Sequence, residues 1–324
     1  PHGDVYSEDE QKKCLSIFSF WNPPGNDVGI HWAKAQEMNQ PLEVAIACVV
    51  DPVIQVAAAT SIPFGLDEMD FAGGLRGEPV DVVDCETIDI AVPAKAEWIL
   101  EGTFLPERDV AIGPHSNPVG YYDDAQLFPL IEIQSITHRK NPIWYSTMEM
   151  EPPFDHNYMA CLPIEGEVLS DLQSKIPEVQ DVVVTPNLSY FVQLSVDGAQ
   201  KPRPDFGKFV VQSVWDASGR WGKTAKVVVV VGPDVNPYDL SEIEWAINTR
   251  VQPYTDSIIN KSGHAFLMDP SAEKDPGHGI ALQSEQIGFD ATIKIPERFQ
   301  SYPEYSNADA EDVEAIAEKF KGLL

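Results

Sequence analysis

The chain has 324 residues, of which 43% are hydrophobic and 10% aromatic, enough for one large or two ordinary hydrophobic cores. Its 51 Asp and Glu residues outnumber 22 Lys and Arg residues, so the formal net charge is -29, and such a surface repels nucleic-acid phosphates and anionic lipid. We therefore expect no nucleic-acid partner and no membrane partner, and we interpret the acid excess as a solubility feature, with a basic partner subunit as the alternative.

Cysteine use and hydropathy predict a cytoplasmic protein. Cys14, Cys48, Cys85 and Cys161 lie far apart without a C-x-x-C pair, which is typical of reduced thiols. No apolar run approaches the roughly 18 residues of a membrane span. The first residues show neither the basic start nor the apolar core of a secretory signal.

The pattern up to about residue 150 predicts a strand-rich unit. A strand is expected over residues 14–21, a short helix over 30–38, and a strand buried on both faces over 42–50. The Ala-rich residues 53–60 favour a helix. Strand patterns then dominate residues 80–145, which predicts a mostly antiparallel sheet or an open barrel.

After about residue 160, helices and strands alternate, which predicts an α/β layer on a largely parallel sheet. We place the domain boundary here, so that the domains are residues 1–160 and 161–324. The expected elements are a helix over 167–175, strands over 182–185 and 190–196, a helix over 205–216 and a strand over 225–231.

Two further helices are predicted from capping patterns. Ser241 and Glu244 form a capping box that opens one of them. Asn307 caps the last helix, near residues 308–321, which has acids in its first turn and lysines in its last. We expect its apolar stripe to pack on the core, with docking across a dimer interface as the alternative; the stripe is Val313, Ile316, Ala317 and Phe320.

Several polar residues are candidates for chemistry on residue type alone. Carboxylates beside a Gly/Pro-rich loop can hold a divalent metal, and paired acids can shuttle a proton. Arg139 follows a strand and could clamp a carboxylate or form a structural salt bridge. The polar loop 269–271, with His278, could edge a site or simply be surface. The full set of candidates is Asp67, Glu68, Glu97, Glu101, His115, His138 and Arg139.

Three sequence blocks follow each other in the first half. Residues 93–102 read P-A-K-A-E-W-I-L-E-G, residues 112–121 read I-G-P-H-S-N-P-V-G-Y, and residues 136–143 read I-T-H-R-K-N-P-I. They resemble the UbiD-family motifs P-A-x-A-E-x-x-x-E-G, E-G-P-(F/Y)-G-E-x-x-G-Y and I-T-x-R-x-x-(A/P)-I. The middle block is altered. The UbiD family contains decarboxylases that use prenylated flavin mononucleotide (FMN).

The resemblance implies an α+β fold, with a split β-barrel that holds the flavin followed by a C-terminal α/β domain. It implies prenylated FMN and Mn²⁺ or Mg²⁺ as the cofactors of the family, without requiring that this chain binds them. Glu68 falls on the metal-binding Glu, and Asn26 stands where a metal-binding His is expected. Ser61, Ile62 and Pro63 fall on the segment expected to bind the cofactor. Family members also carry an N-terminal section that this sequence lacks.

The altered block concerns the catalytic residues. By the resemblance, Ile112 and Asn117 occupy the two catalytic Glu positions of E-G-P-F-G-E. The candidate catalytic residues are His115, Asn117 and Arg139. An amide has no carboxyl proton to deliver near neutral pH, and an apolar side chain cannot balance an Arg. One remaining metal ligand would hold Mg²⁺ or Mn²⁺ poorly, because these ions need several oxygen donors.

Three hypotheses follow from the sequence. In the first, the chain is a UbiD-like subunit of a non-oxidative (de)carboxylase for aromatic or α,β-unsaturated acids, non-catalytic by itself and paired with a full-length catalytic paralogue. In the second, it is a self-sufficient decarboxylase in which His115 delivers the proton. In the third, it is a structural or ligand-binding protein on the same fold, which self-associates.

Overall fold

The computed structural model describes residues 14–16, 27–62, 65–105, 110–123, 125–147, 150–196, 205–217, 219, 221–274, 281–294, 303, 306 and 310–321. Within these residues, an antiparallel sheet with short helices comes first in the chain, and a mixed sheet between helices comes second. This arrangement confirms the predicted α+β fold class with an α/β C-terminal part.

The first half is made of short strands and three helices among the described residues. Its elements are β1 (Cys14–Ser16), α1 (Asp27–Glu37), β2 (Leu42–Cys48), α2 (Pro52–Ala59), α3 (Glu68–Arg76), β3 (Val82–Asp84), β4 (Ala91–Pro93), β5 (Trp98–Phe104), β6 (Val110–Ile112), β7 (His115–Ser116), β8 (Tyr122–Asp123), β9 (Gln126–Phe128) and β10 (Leu130–His138).

The main sheet of this half has the order β1-β10-β5-β2, and every pair in it is antiparallel. The predicted antiparallel sheet is therefore confirmed, whereas the open or split barrel stays a prediction. Strand β2 is half-buried rather than buried on both faces, because it lies at the end of the strand order and has β5 as its neighbour. Shorter ladders join β3 to β4, β6 to β9 and β7 to β8.

The second half alternates helices and longer strands. Its elements are α4 (Asp155–Lys175), β11 (Val179–Val184), β12 (Ser189–Leu194), α5 (Phe206–Trp215), a short 3-10 turn (Gly222–Thr224), β13 (Val227–Val231), α6 (Leu240–Arg250), β14 (Ser257–His264), β15 (Glu273–Lys274), β16 (Ala281–Ala291) and α7 (Ala310–Lys319).

The second sheet is mixed, which corrects the expectation of a largely parallel one. Its order is β11-β12-β13-β16-β14, with β15 also paired to β16. Strands β12, β13 and β16 are parallel, whereas β11, β14 and β15 pair antiparallel with their neighbours. The reason at β11 is the tight connection between Val184 and Ser189, which is too short for a parallel crossover. Helices α4 and α5 cover one face, and α6 covers the other.

Helix α4 begins 12 residues before the predicted start at residue 167 and contains Pro163. The stripe that it buries starts at Cys161 and continues through Ile164, Val168 and Leu172, so apolar burial extends the helix through a residue that usually interrupts one. Because α4 runs through residue 160, the change of architecture comes just before the helix; the division into domains 1–160 and 161–324 stays a prediction.

Two predictions about helices are corrected, one about the cap of α6 and one about the burial of α7. Helix α6 is capped by Asp239, whose Oδ1 accepts from the backbone N of Ser241 at 2.8 Å, rather than by Ser241 itself. On α7, the stripe expected to pack on the core is exposed. The proposed cap Asn307 lies outside the described residues. In the described part of the chain, no helix is long and apolar enough to cross a lipid bilayer.

Candidate functional site

The altered motif forms a β-hairpin built from β7 and β8, in which His115 pairs with Asp123 and Ser116 pairs with Tyr122. Gly113 enters it with a φ of +121°, and a Cβ atom there would lie 2.7 Å from the Cα atom of Ala125. A glycine is required at this position both for its backbone conformation and for the close approach.

Asn117 lies in the turn of this hairpin, and both the oxygen and the nitrogen of its side-chain amide form hydrogen bonds within the hairpin. The residue is 2% exposed. Its Oδ1 accepts hydrogen bonds from the backbone N atoms of Val119, at 3.2 Å, and Tyr121, at 3.0 Å. Its Nδ2 donates to Oδ2 of Asp123 at 3.2 Å. Asn117 thus stabilises the turn in the way that Asx side chains do.

Helix α4 fixes the same turn from outside. The buried Asn157, in the first turn of α4, donates from Nδ2 to the carbonyl oxygen of Pro118 at 3.1 Å. Its Oδ1 accepts from the backbone N of Phe154 at 3.4 Å. The hairpin that carries the altered catalytic position is therefore held by two buried Asn side chains from different parts of the chain.

Glu101 on β5 is a structural clamp rather than a member of an acid pair. It is 1% exposed, and its carboxylate accepts from the backbone N atoms of Glu86, at 3.0 Å, and Thr87, at 2.7 Å, and from Oγ1 of Thr87 at 2.6 Å. Burial alone would raise its pKa, but these three hydrogen bonds outweigh burial and leave the pKa below the ordinary Glu value.

Glu97 is a second clamp, and it binds the candidate Arg139. Its Oε1 accepts from Nη1 of Arg139 at 2.8 Å, and its Oε2 accepts from the backbone N of Ile143 at 3.0 Å. The Arg139 side chain is 56% exposed, and the pair has the geometry of the structural salt bridge left open by the sequence. The backbone N of Arg139 also donates to the carbonyl oxygen of Glu97 at 3.0 Å.

Glu97 and Glu101 do not act together. Four residues of extended chain separate their Cα atoms by about 13 Å, and each carboxylate is occupied by a different loop. These two carboxylates are therefore not neighbours that could pass a proton to each other.

His138 belongs to an aromatic group at the end of β10. Its ring lies 4.9 Å from the ring of Trp98, and Trp98 lies 6.0 Å from Trp144. Its Nδ1 is 2.8 Å from the carbonyl oxygen of Arg139. His115 lies on β7, directly across from Asp123.

Glu68 lies in the first turn of α3, half-buried, next to the cap residue Asp67. Oδ1 of Asp67 accepts a hydrogen bond from the backbone N of Met69 at 2.7 Å. Among the described residues, no three His, Cys, Asp or Glu side chains come together in a way that could hold a metal ion.

The residues expected to bind cofactor are partly described. Ser61 and Ile62 follow α2, with Ser61 exposed and Ile62 half-buried, and the backbone N of Ile62 donates to the carbonyl oxygen of Thr60 at 3.1 Å. Pro63 and Asn26 lie outside the described residues. The assignments of Ser61, Ile62, Pro63 and Asn26 to the cofactor, and of Glu68 to a metal, stay predictions.

The polar loop 269–271 is an ion-pair cluster of the C-terminal half. Asp269 accepts from Nζ of Lys226 at 2.6 Å, from Oγ of Ser271 at 2.7 Å and from Oγ of Ser284 at 3.2 Å. Burial raises its pKa, but Lys226 and Ser271 outweigh burial and hold the pKa below the ordinary Asp value. These hydrogen bonds join Asp269 to side chains of the same half of the chain, which fits a structural role for Asp269. His278 lies outside the described residues.

Two family models match the chain in the order of the two architectures. The model of the Rift-related domain of 3-octaprenyl-4-hydroxybenzoate carboxy-lyase (UbiD) matches residues 16–152, and the model of its C-terminal domain matches residues 157–291. The chain belongs to the UbiD family. The resemblance inferred from the sequence blocks is thereby confirmed.

Among curated proteins, an uncharacterized protein of Synechocystis sp. is 34% identical over 322 residues, covering 99% of this chain and 62% of the relative. Among solved structures, the UbiD-class enzyme HmfF of Pelotomaculum thermopropionicum in complex with FMN gives a TM-score of 0.80 at 27% identity, covering 94% of this chain and 64% of HmfF. An evolved dimeric form of HmfF, solved with prFMN, gives a TM-score of 0.71 at 27% identity, covering 92% and 63%.

The vanillic acid decarboxylase ShVdcCD of Sedimentibacter hydroxybenzoicus is also similar. Its open form, with a truncated ShVdcD, gives a TM-score of 0.78 at 27% identity, covering 96% of this chain and 64% of the chain compared. This UbiD-family chain thus spans less than two thirds of the length of each of these relatives.

Sequence reasoning missed two residues that shape the altered hairpin, Asp123 and Asn157. Asp123 stands six residues after Asn117, on the opposite strand of a short hairpin, and this spacing was the available signal. Asn157 gave no comparable signal, because it bonds Pro118 from 39 residues away.

Proposed function

We propose that this chain is a UbiD-type subunit of a non-oxidative decarboxylase or carboxylase that acts on aromatic or α,β-unsaturated acids. In this proposal it does not catalyse the reaction by itself and works beside a full-length catalytic UbiD paralogue. The family membership supports the reaction class, and the proposal as a whole depends on one observation, the state of Asn117.

Asn117 stands at a catalytic Glu position of the family motif. Both of its amide groups are engaged inside the hairpin, at 3.0 to 3.2 Å from their partners. An amide offers no acidic proton near neutral pH. A side chain that is buried, hydrogen-bonded through both its oxygen and its nitrogen, and not acidic is suited to holding a turn, and it is unsuited to replacing carbon dioxide by a proton.

Two other positions support the same reading. Ile112, at the first catalytic Glu position, ends β6 and pairs with Gln126, and an aliphatic side chain neither carries charge nor accepts a proton. At Glu68, the described carboxylates do not form a metal-binding group. Loss at several positions of one site is what we expect of a chain that has kept the fold but not the chemistry.

The proposed partner is a catalytic UbiD chain of full family length. ShVdcCD is a decarboxylase whose structure was solved with a second component, ShVdcD, which supports assembly of UbiD-type chains with other subunits. In this proposal, the partner supplies the acid that Ile112 and Asn117 do not provide.

The proposal is tested by reconstitution. The purified chain is incubated with prenylated FMN and Mn²⁺, desalted and examined by flavin absorbance and native mass spectrometry, with HmfF treated identically as the positive control. We expect the chain alone to retain no stoichiometric flavin and to release no carbon dioxide from aromatic or α,β-unsaturated acids. Stoichiometric flavin binding together with turnover by the chain alone would falsify the proposal.

A second measurement tests the partner. The chain is isolated from its natural host under native conditions, and the proteins that co-elute with it are identified by mass. We expect a longer UbiD-type chain that carries flavin absorbance. Isolation of the chain without any longer UbiD-type protein would contradict the pairing, whatever the outcome of reconstitution.

A further inference from the structure

Helix α4 joins the two halves of the chain. It has 21 residues, from Asp155 to Lys175, and at a rise of about 1.5 Å per residue it is about 31 Å long. Its first turn contacts the β7–β8 hairpin of the N-terminal half, whereas its later turns lie in the C-terminal core. A rigid element that belongs to two regions can carry a displacement from one region to the other.

The later turns of α4 are closely packed. Val168 and Leu172 are completely buried, and Ile164 is 1% exposed. All three belong to the apolar cluster that α5 and the second sheet also line. Close-packed interiors transmit strain rather than absorb it. A change in the packing of this core therefore acts on the position of α4.

The first turn of α4 is tied to the altered hairpin by a hydrogen bond and by close packing. Nδ2 of Asn157, a residue that is 7% exposed, donates to the carbonyl oxygen of Pro118 at 3.1 Å. Gly120 lies against the segment that precedes α4, where an added Cβ atom would be 2.9 Å from the Cα atom of Glu151. The backbone N of Gly120 donates to the carbonyl oxygen of Asn117 at 3.0 Å. Contacts from α4 thus reach the turn that Asn117 holds.

A second contact leads from α4 to the other candidate segment. Helix α4 packs on α2, and α2 is followed by Ser61 and Ile62, the described residues of the predicted cofactor segment. Ahead of α4, the hydroxyl of Tyr145 accepts from Nε2 of Gln55, on α2, at 2.6 Å. The same helix therefore contacts the hairpin and the helix that leads to the cofactor segment.

We propose that α4 couples the packing of the C-terminal core to the conformation of the β7–β8 hairpin, with Asn157 as the positioning residue. A ligand or partner that changes the packing of the C-terminal core then changes the hairpin as well, because one helix is part of both regions. The coupling is a property of the chain by itself. It goes beyond the proposed function and does not depend on it.

Two matched core variants supply the perturbation. Val168→Ala, on α4, and Val230→Ala, on β13, remove the same groups from completely buried positions of one cluster. Both substitutions loosen the C-terminal core, but only the first one changes α4 itself. Val230→Ala is therefore the control for loss of stability as such.

Amide hydrogen exchange measures the response of the hairpin. The reporters are the backbone N–H groups of Val119 and Tyr121, which donate to Asn117. The references are those of Glu86 and Thr87, which are held in the same half of the chain by a different side chain.

We expect Val168→Ala to accelerate exchange at the reporters by about fivefold or more relative to the references. Val230→Ala should change reporters and references by the same factor, because it acts through the stability of the whole fold. Far-UV circular dichroism establishes that each variant is folded.

Asn157→Asp tests the route of the coupling. It keeps the oxygen that accepts from the backbone N of Phe154 and loses the amide that donates to Pro118. In this background, Val168→Ala should add no further acceleration at the reporters. Asn248→Asp, at an exposed position of α6, controls for the added charge and should leave the effect of Val168→Ala intact.

Thermal melting gives a second measure of the same coupling. Positions 157 and 168 are about 16 Å apart along the helix, and substitutions at such a distance are normally additive. We expect Asn157→Asp and Val168→Ala together to cost less stability than the sum of their separate effects. Asn157→Asp and Val230→Ala should be additive.

Acceleration at the reporters by Val168→Ala that disappears in Asn157→Asp, together with non-additive melting of that pair, supports the proposal. Equal effects of the two valine variants, acceleration that persists in Asn157→Asp, or additive melting of Asn157→Asp and Val168→Ala overturns it. None of these measurements uses flavin or a partner chain, so failure of the coupling is distinguishable from failure of the proposed function.

Discussion

In the C-terminal half, helices α4 and α5 and the second sheet enclose a cluster of Val, Ile, Leu, Tyr, Phe and Trp side chains, and α6 covers a second cluster on the other face of the sheet. The N-terminal half has smaller clusters. Its loops are instead positioned by the buried Glu101, the Glu97 carboxylate, and the amides of Asn117 and Asn157. In the described residues, the first half therefore has the smaller apolar clusters, and particular polar contacts position several of its loops.

This difference explains how the catalytic motif could change while the hairpin persisted. A turn held by an Asx side chain needs an acceptor oxygen at residue 117, and an amide supplies it as well as a carboxylate does. Either group can accept the two backbone hydrogen bonds, but only the amide can also donate to Asp123, so the hairpin of this chain depends on Asn117 itself. Four predictions test the contrast between the two halves, starting with the largest effect.

Truncation in the C-terminal core should have the largest effect. Leu172→Ala removes a fully buried side chain from α4 and should lower the free energy of unfolding by about 2–5 kcal/mol. Leu162→Ala, on the exposed face of the same helix, should cost less than about 0.5 kcal/mol. Urea titration followed by tryptophan fluorescence measures both, and similar losses for the two variants would refute the distinction.

In the N-terminal half, Glu101→Gln should cost about 1.5–3 kcal/mol, the range for hydrogen bonds to a charged group. The folded pKa of Glu101 lies below its unfolded value, so its contribution is complete above the unfolded pKa of about 4.3 and is lost as the pH falls through the folded pKa. Wild type and variant should converge in acid. Glu86→Gln, an exposed acid of the same loop, is the control. Faster hydrogen exchange at Glu86 and Thr87 only in Glu101→Gln is expected; unchanged exchange would argue against the clamp.

A negative charge introduced at residue 117 should destabilise the hairpin, and removal of the charge at Asp123 should restore its stability. Asn117→Asp places two carboxylates at the 3.2 Å contact with Asp123 and should cost about 1–3 kcal/mol at pH 8. It should cost less at pH 5, because such a pair can share a proton. Adding Asp123→Asn exchanges the amide and the acid and should recover most of the loss. A thermal-melting cycle over the four variants measures the coupling, and additive effects would show that the contact is not formed.

Arg139→Ala should have the smallest effect. The pair with Glu97 is partly solvent-exposed, and exposed ion pairs contribute about 0.2–1 kcal/mol. We expect Arg139→Lys to be intermediate, and the decarboxylase activity of an assembled complex to be unchanged in both variants. A large loss of activity at unchanged stability would instead support the alternative in which Arg139 clamps a carboxylate.

Elements with a strong local pattern were predicted well. The helix expected over 205–216 is α5, and the strand expected over 225–231 is β13, because three-and-four spacing and a run of valines each specify one regular structure. Helix α4 was predicted only in part. The sequence pattern indicated a helix only from residue 167, and only the packing of Cys161 and Ile164 against the C-terminal core shows why the helix starts before Pro163.

The candidate site was predicted in composition but not in organisation. The family motif aligns Ile112 and Asn117 with acid positions, which stays a prediction from residue type along the chain. Glu97 and Glu101 were candidates for chemistry on residue type alone. In the structure they bind separate loops, one at Ile143, 46 residues away, and one at Glu86 and Thr87, 15 and 14 residues away. Partners at such separations follow from the sheet and loop geometry, which no local pattern encodes.

The amino-acid sequence by itself determined the family, the order of the two architectures and the chemical character of the altered positions, since motifs, periodicity and side-chain type are all written along the chain. The tertiary structure alone decided which acids hold loops, which Asn side chains close the hairpin, and which apolar residues face solvent, as on α7 and around Trp144. The physical reason is that hydrogen bonding and burial depend on groups that only folding brings together.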